Sequence, residues 1–203
     1  MEVNGESLLA HLLGRLGQAE LVDDIVVATG PGKENEPIRE EAIMCGVDCP
    51  YIESDEDDVL GRFIEVAEAY GADVIVRITG DCPLVDPAMV DRVITALGDN
   101  DFASNVVNRT FPRGMDVEVM HYDTLLRLRR LATDDYSKEH VCVYVYSHDE
   151  FSKASVEDDY DNHLLPNGEE CRWCVDTPED FERIGEMLAD GGGYEDLLRR
   201  FYG

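Results

Sequence analysis

The stretch Val74-Ile-Val-Arg-Ile-Thr-Gly-Asp-Cys-Pro-Leu-Val-Asp86 limits what this chain can fold into more than any other. Val74, Ile75, Val76 and Ile78 form a β-branched run of the kind found in strands buried in a parallel sheet. Gly80, Pro83 and two aspartates then make a turn, and Pro87 stands at the favoured first position of a helix. Strand, turn and helix in that order belong to α/β folds, whose ligands bind outside the carboxyl ends of strands. Asp81 occupies such an end, where a carboxylate can hold a magnesium ion beside a phosphate. The same residue can equally serve only the turn before Pro83.

The pattern recurs along the first half. Residues 6–19 place Leu8, Leu9, Leu12, Leu13 and Leu16 on one helical face. Residues 24–28 read as a buried strand, 37–45 as a helix stopped by Gly46, 51–52 as a minimal strand, 57–70 as a helix closed by Gly71, and 87–97 as a further helix. This alternation predicts right-handed crossovers and an α/β fold, a three-layer α/β/α sandwich of Rossmann-like type. The second half mixes types, so the sheet is expected to be mixed. Strands are expected at 102–105, 116–120, 154–156 and 172–175, and helices at 122–131 and 137–146. Thr177 and Pro178 start another helix, with Glu179 and Asp180 at its positive end. A last short helix ends at Phe201. With no repeat and no long linker, residues 1–203 read as one domain.

Charge narrows the setting. Asp and Glu number 45 against 17 Lys and Arg, for a net charge of −28. The acids are dispersed through core-bearing, periodic sequence rather than gathered in blocks. That suits a very salty cytoplasm, where screening over a few ångströms tames self-repulsion; an acidic protein for a basic partner is the alternative. No basic stripe exists to neutralise the phosphates of a nucleic acid. No leader and no apolar run of membrane-spanning length is seen, so a cytoplasmic protein with no membrane role and six reduced cysteines is expected. Cys171 and Cys174 resemble a metal-binding pair, but three residues apart on a strand they face opposite sides. Cys45 and Cys49 straddle a helix exit.

Asp176 repeats the setting of Asp81, following an apolar run and preceding a Pro-initiated helix. It is either a second metal carboxylate or part of the helix cap. If the two strands are neighbours, both carboxylates converge on one rim. His140 lies four residues from Tyr136 and Tyr144, as a packing residue or a site residue. Arg109, Arg113 and Asp116 surround the loop Phe111-Pro-Arg-Gly114, which either binds an anion or merely turns. Ser54-Asp-Glu-Asp-Asp58 imitates the acidic metal motif of glycosyltransferases but reads better as a helix start.

These residues also carry a resemblance. Ile25-Val-Val-Ala-Thr29, Glu56-Asp-Asp-Val-Leu-Gly-Arg62, Arg77-Ile-Thr-Gly-Asp-Cys-Pro-Leu-Val-Asp86, Gly114-Met-Asp-Val-Glu118, Glu139-His-Val141 and Arg172-Trp-Cys-Val-Asp-Thr-Pro-Glu-Asp180 occur in the order found in cytidylyltransferases. The chain resembles the family of CMP-KDO synthetase and acylneuraminate cytidylyltransferase, and above all the spore coat polysaccharide biosynthesis protein F group. The resemblance implies a nucleotidyltransferase fold and transfer of CMP from CTP to a sugar or sugar acid with release of pyrophosphate, in surface polysaccharide synthesis. It makes Asp81 and Asp176 the ligands of Mg2+ and brings Ala28 and Thr29 to the base. It turns Arg77, Asn105, Asp116 and His140 toward nucleotide or acceptor, and it implies a homodimer.

One part of the family pattern is missing. Family members begin with an apolar strand and a Gly-, Ser- and Arg-containing loop that cradles the triphosphate and ends near a Lys. Met1-Glu-Val-Asn-Gly5 aligns after that loop. The strand would lie between the 24–28 and Val74 strands; neighbours sit about 4.8 Å apart, so its absence opens roughly twice that spacing. The expectation is a shortened start with weak or absent turnover. The alternative is a non-catalytic subunit that binds nucleotide or sugar beside an active relative.

Overall fold

The computed structural model describes residues 2–202. In chain order these form β1 (Glu2–Val3), β2 (Glu6–Ser7), α1 (Leu8–Leu16), α2 (Glu36–Met44), α3 (Val59–Tyr70), β3 (Val74–Arg77), α4 (Pro87–Leu97), β4 (Phe102–Ser104), β5 (Glu118–His121), α5 (Tyr122–Leu131), α6 (Asp135–Glu139), α7 (Val143–Ser147), β6 (Lys153–Ser155), α8 (Pro178–Asp190) and α9 (Tyr194–Phe201). The central sheet runs β3-β5-β4-β6. Its β3–β5 and β5–β4 pairs are antiparallel and its β4–β6 pair is parallel, so the sheet is mixed as expected.

Period-two alternation divides the helices between the two faces. Ala103 lies opposite Val119, and both face a core built with Leu12 of α1, Val90 and Val93 of α4, Ile184 and Met187 of α8, and Leu197 of α9. Phe102 and Ile75 both lie opposite Met120 and face the other way, against Leu60 of α3, Leu125 and Leu128 of α5 and Val145 of α7. These are the three layers the alternation predicted.

Several elements differ from expectation. The Val74 run is not buried in a parallel sheet: β3 is an edge strand with an antiparallel partner, and Val74 is exposed. β-Branching reports burial between layers and carries no information about strand direction. The 24–28 run makes one parallel bridge, Val26 to Asp48, and joins no ladder with β3. An apolar run becomes a strand only where a partner takes its N–H and C=O groups. Residues 51–52 are likewise not a strand, and 172–175 are held by one bridge from Arg172 to Arg113. The expected 137–146 helix is two short ones, broken at Val141, whose φ of 39° no helix accommodates. The chain start adds a hairpin: Asn4 and Gly5, at φ 55° and 83°, form a two-residue turn that pairs Val3 with Glu6.

Candidate functional site

Asp81 stands in the turn beyond the C-terminal end of β3. That turn is closed by bonds from Cys82 N to the Thr79 carbonyl (3.2 Å) and from Val85 N to the Cys82 carbonyl (3.3 Å). Cys82, Leu84 and Val85 are buried and fix it to the core. Asp86 then caps α4, accepting from Ala88 N at 2.9 Å, with Pro87 as first helical residue. The apolar residues of the stretch anchor the loop and the acid is left at the rim.

The segment before α8 is placed by a different set of contacts. It runs parallel to the 113–114 loop: Arg113 N donates to the Cys171 carbonyl at 2.9 Å, and Trp173 N donates to the Arg113 carbonyl at 2.6 Å. Trp173 is fully buried against Tyr194 and Tyr202, with ring centroids 5.7 and 6.2 Å away. Gly114, at φ 100°, lies so close that a Cβ there would sit 2.5 Å from Cys174 N. The Val175 N–H donates to the Asp81 carbonyl at 2.9 Å and ties this segment to the first loop.

Asp176 does not cap α8. Thr177 Oγ1 accepts from Asp180 N at 3.1 Å, while Asp180 Oδ2 accepts from Thr177 N at 3.1 Å and Asp176 N at 3.2 Å. The Asp176 carboxylate is free for other work. It accepts from the Arg172 guanidinium, and the Cys174 thiol lies 3.4 Å away. One ligand atom from each of Asp81, Cys174 and Asp176 lies within 4.8 Å of the others. The carboxylates reach the surface, whereas Cys174 is 2% exposed. Burial pushes the Cys174 thiol up to about 11, with Arg172 pulling it down and the two aspartates pushing it further up. Cys82 Sγ, 3.2 Å from Thr79 Oγ1 and 3.5 Å from Asp81 Oδ1, is also driven upward by burial and by Asp81.

Two carboxylates on neighbouring loops are a fitting donor set for a magnesium-class cation, which takes one or two protein carboxylates and completes its shell with water and phosphate oxygens. Arg172 reaches Glu170 at 3.3 Å, and Arg113 holds the same Glu170 at 2.9 Å. The acidic rim is thus laced with arginine. A groove of about 800 Å³ between α4 and residues 155–157 has neither Asp81 nor Asp176 in its lining.

The other candidates fall into two groups. Asp116 is beside the site, on the loop that touches Cys174. Both its oxygens are held by Arg109 at 2.7 Å, and Gly114 N donates to it at 3.3 Å. Burial lowers the Arg109 pKa, and the bond and charge of Asp116 outweigh it, leaving a raised value. Asn105 is buried and bonds main chain at both ends, donating to the Met115 carbonyl at 2.7 Å and accepting from Val117 N at 2.9 Å. It shapes the loop from within. Arg77 spans to Glu118 at 2.5 Å, and Tyr146 OH donates to the same carboxylate at 2.8 Å. Burial works against the charged guanidinium, but Glu118 leaves its pKa raised.

Ala28, Thr29 and His140 stand apart. His140 is exposed with its ring edge-on to Tyr136 at 4.3 Å, while Tyr144 instead stacks on His148. Ala28 and Thr29 are half-buried before Gly30, which packs on Glu56. Among the described residues, no hydrogen bond joins these three to Asp81 or Asp176. The acids at 54–58 do start a helix, with Asp58 accepting from Gly61 N at 3.0 Å. From sequence Cys174 is weighed only as a partner of Cys171, not as a neighbour of the two aspartates. The rule that sends Cys171 and Cys174 to opposite sides also puts Arg172, Cys174 and Asp176 on one face, and that was the available signal.

A profile of the cytidylyltransferase family matches residues 1–198. An uncharacterised protein of Methanocaldococcus jannaschii is 33% identical over 187 residues, spanning 92% of this chain and 74% of that protein. The spore coat polysaccharide biosynthesis protein SpsF of Bacillus subtilis is 29% identical over 176 residues, spanning 86% and 71%. Among solved structures, a cytidylyltransferase from Leptospira borgpetersenii superposes with a TM-score of 0.89 at 27% identity, over 98% of this chain and 84% of that one.

Proposed function

The chain belongs to the cytidylyltransferase family, and from that premise we propose that it transfers the CMP group of CTP to a sugar or sugar acid and releases pyrophosphate. The observation that carries this reading is the convergence of Asp81 and Asp176 on one rim. In-line substitution at the α-phosphorus calls for positioning and charge neutralisation more than for covalent work by the protein. Asp81 and Asp176 hold the divalent cation, taken as Mg2+, which when bound supplies that neutralisation. Arg172 keeps the Asp176 carboxylate in place, and the Val175–Asp81 bond keeps the two loops in register. Asp116, braced by Arg109, is the residue we assign to the acceptor.

The relationship to SpsF favours a sugar of a surface polysaccharide as acceptor. A homodimer in a salt-rich cytoplasm completes the proposal; among the described residues no helix is long and apolar enough to cross a membrane.

The test is pyrophosphate release from CTP with a panel of sugar acids and amino sugars, paired with calorimetry of CTP binding. Turnover is expected to need Mg2+ and to fall about a hundredfold or more in Asp81→Asn and Asp176→Asn, a loss of about 3 kcal/mol of transition-state stabilisation. Equal turnover in those variants would sink the assignment of the metal to these residues. Metal-dependent CTP binding without turnover on any acceptor would replace the enzyme with a nucleotide-binding subunit.

A further inference from the structure

The third member of the cluster has no use in magnesium binding, because a hard cation of that size takes oxygen and leaves sulfur alone. Yet the Cys174 thiol is buried, sits 3.4 Å from an Asp176 oxygen, and has its ligand atom within 4.8 Å of those of both carboxylates. Its other near polar neighbour is Arg172 Nη2 at 3.3 Å. Gly114 and the buried Trp173 pack closely on the backbone of Cys174 and hold its Cα in place.

We propose that Asp81, Cys174 and Asp176 form a mixed oxygen–sulfur site for a thiophilic divalent cation, Zn2+ by chemistry, which competes with Mg2+ for the same two carboxylates. Bonds of about 2.0–2.3 Å place the donors of a tetrahedral zinc ion roughly 3.5 Å apart, and the three donors here already lie within 4.8 Å of one another. On binding, the thiol releases its proton to solvent and the sulfur bonds the metal as thiolate. Three protein donors leave the fourth position open to water or to a phosphate oxygen. Cys82 is outside the set, its sulfur turned to Thr79 Oγ1. The consequence is a site that zinc occupies and withdraws from magnesium-dependent work. The inference shares Asp81 and Asp176 with the proposed function but does not depend on turnover of CTP.

The experiment uses the full reduced chain with Cd2+ as the spectroscopic probe. One equivalent of Cd2+ is expected to raise an ultraviolet sulfur-to-metal charge-transfer band. Cys174→Ser removes the band and weakens Cd2+ binding roughly tenfold or more, with Mg2+ affinity by calorimetry unchanged. Cys82→Ser and Cys45→Ser, the latter removing the exposed thiol, keep the band; circular dichroism verifies that each variant folds. A band that survives Cys174→Ser, or no band in the parent chain, overturns the proposal. A band that depends on Cys174, together with Mg2+ binding indifferent to Asp81→Asn and Asp176→Asn, would keep the thiol site and sink the magnesium assignment instead.

Discussion

Val175 donates its main-chain N–H to the carbonyl of Asp81 at 2.9 Å, and this bond spans the two loops that carry the carboxylates. No side chain is needed for it, so only a change that removes the donor tests it. Val175→Pro deletes the N–H and leaves the Asp81 carbonyl unpaired, at a cost of about 1–3 kcal/mol. Val175→Ala keeps the bond and loses only packing of a half-buried side chain. The expected result is that Val175→Pro weakens metal binding by calorimetry more than Val175→Ala does at matched urea stability. Equal metal affinity in the two would mean the loops hold their spacing without the bond.

Gly114 makes a sharper prediction. At φ 100° it sits in a region that L side chains rarely adopt, and an added Cβ would meet Trp173 C and Cys174 N at 2.5 Å. Both are backbone atoms and cannot swing aside. Gly114→Ala should therefore cost about 2 kcal/mol or more in urea unfolding. Gly14→Ala is the matching control: Gly14 is an exposed position of helix α1 with nothing within 4 Å of an added Cβ, so that change should stabilise by about 1 kcal/mol. A Gly114→Ala protein as stable as its parent would show that the 113–114 loop is free to move off the Trp173 segment.

The parts of the fold legible in sequence are those governed by near neighbours. The start of α4, with Asp86 as cap and Pro87 first, and the Thr177–Asp180 cap of α8 follow from a few adjacent residues. The succession of strands and helices along the first half was enough for three layers. Strand direction was not legible, because Val74–Arg77 carries the same β-branched signal whichever way its neighbour runs. Nor was the loss of the 24–28 strand, which turns on the absence of a ladder partner. Arg77 and Asn105 look like site residues in isolation. Their partners Glu118, Met115 and Val117 lie 10 to 41 positions away and take their polar atoms inward. Cys174 shows the opposite case, since period two places it beside Asp176 without any structure.

The cap of α8 sets an acid-side stability prediction. Burial alone would push the Asp180 pKa up, but bonds from Arg183, Asp176 N and Thr177 outweigh it and hold the carboxyl below its ordinary 3.8. A group depressed in the folded state stabilises above its unfolded value, and that contribution is lost as pH falls from 3.8 through the lower folded value. Asp180→Asn should flatten the acid limb of stability against pH in urea titrations. At neutral pH it should still cost about 1 kcal/mol through the weakened capping box. An unchanged acid limb would mean that other carboxylates carry the whole transition.

Salt should act against the trend expected for a protein held together by ion pairs. The surplus of 28 negative charges repels itself in the folded state, and raising salt from 0.1 M to 1 M shortens the screening length from about 10 Å to about 3 Å. The same screening weakens exposed pairs such as Arg129–Asp58, though these contribute at most about 1 kcal/mol each. Arg77–Glu118, whose side chains are 16% and 8% exposed, is shielded from it. Repulsion among many dispersed acids outweighs a few surface pairs, so the thermal midpoint should climb steadily with KCl over this range. Arg129→Ala should cost less in high salt than in low, because the interaction it removes is already screened. Arg77→Ala should cost about the same in both. A midpoint that is flat or falls with KCl would show that the acids are spaced well enough to need no screening and would remove the case for a salt-rich cytoplasm.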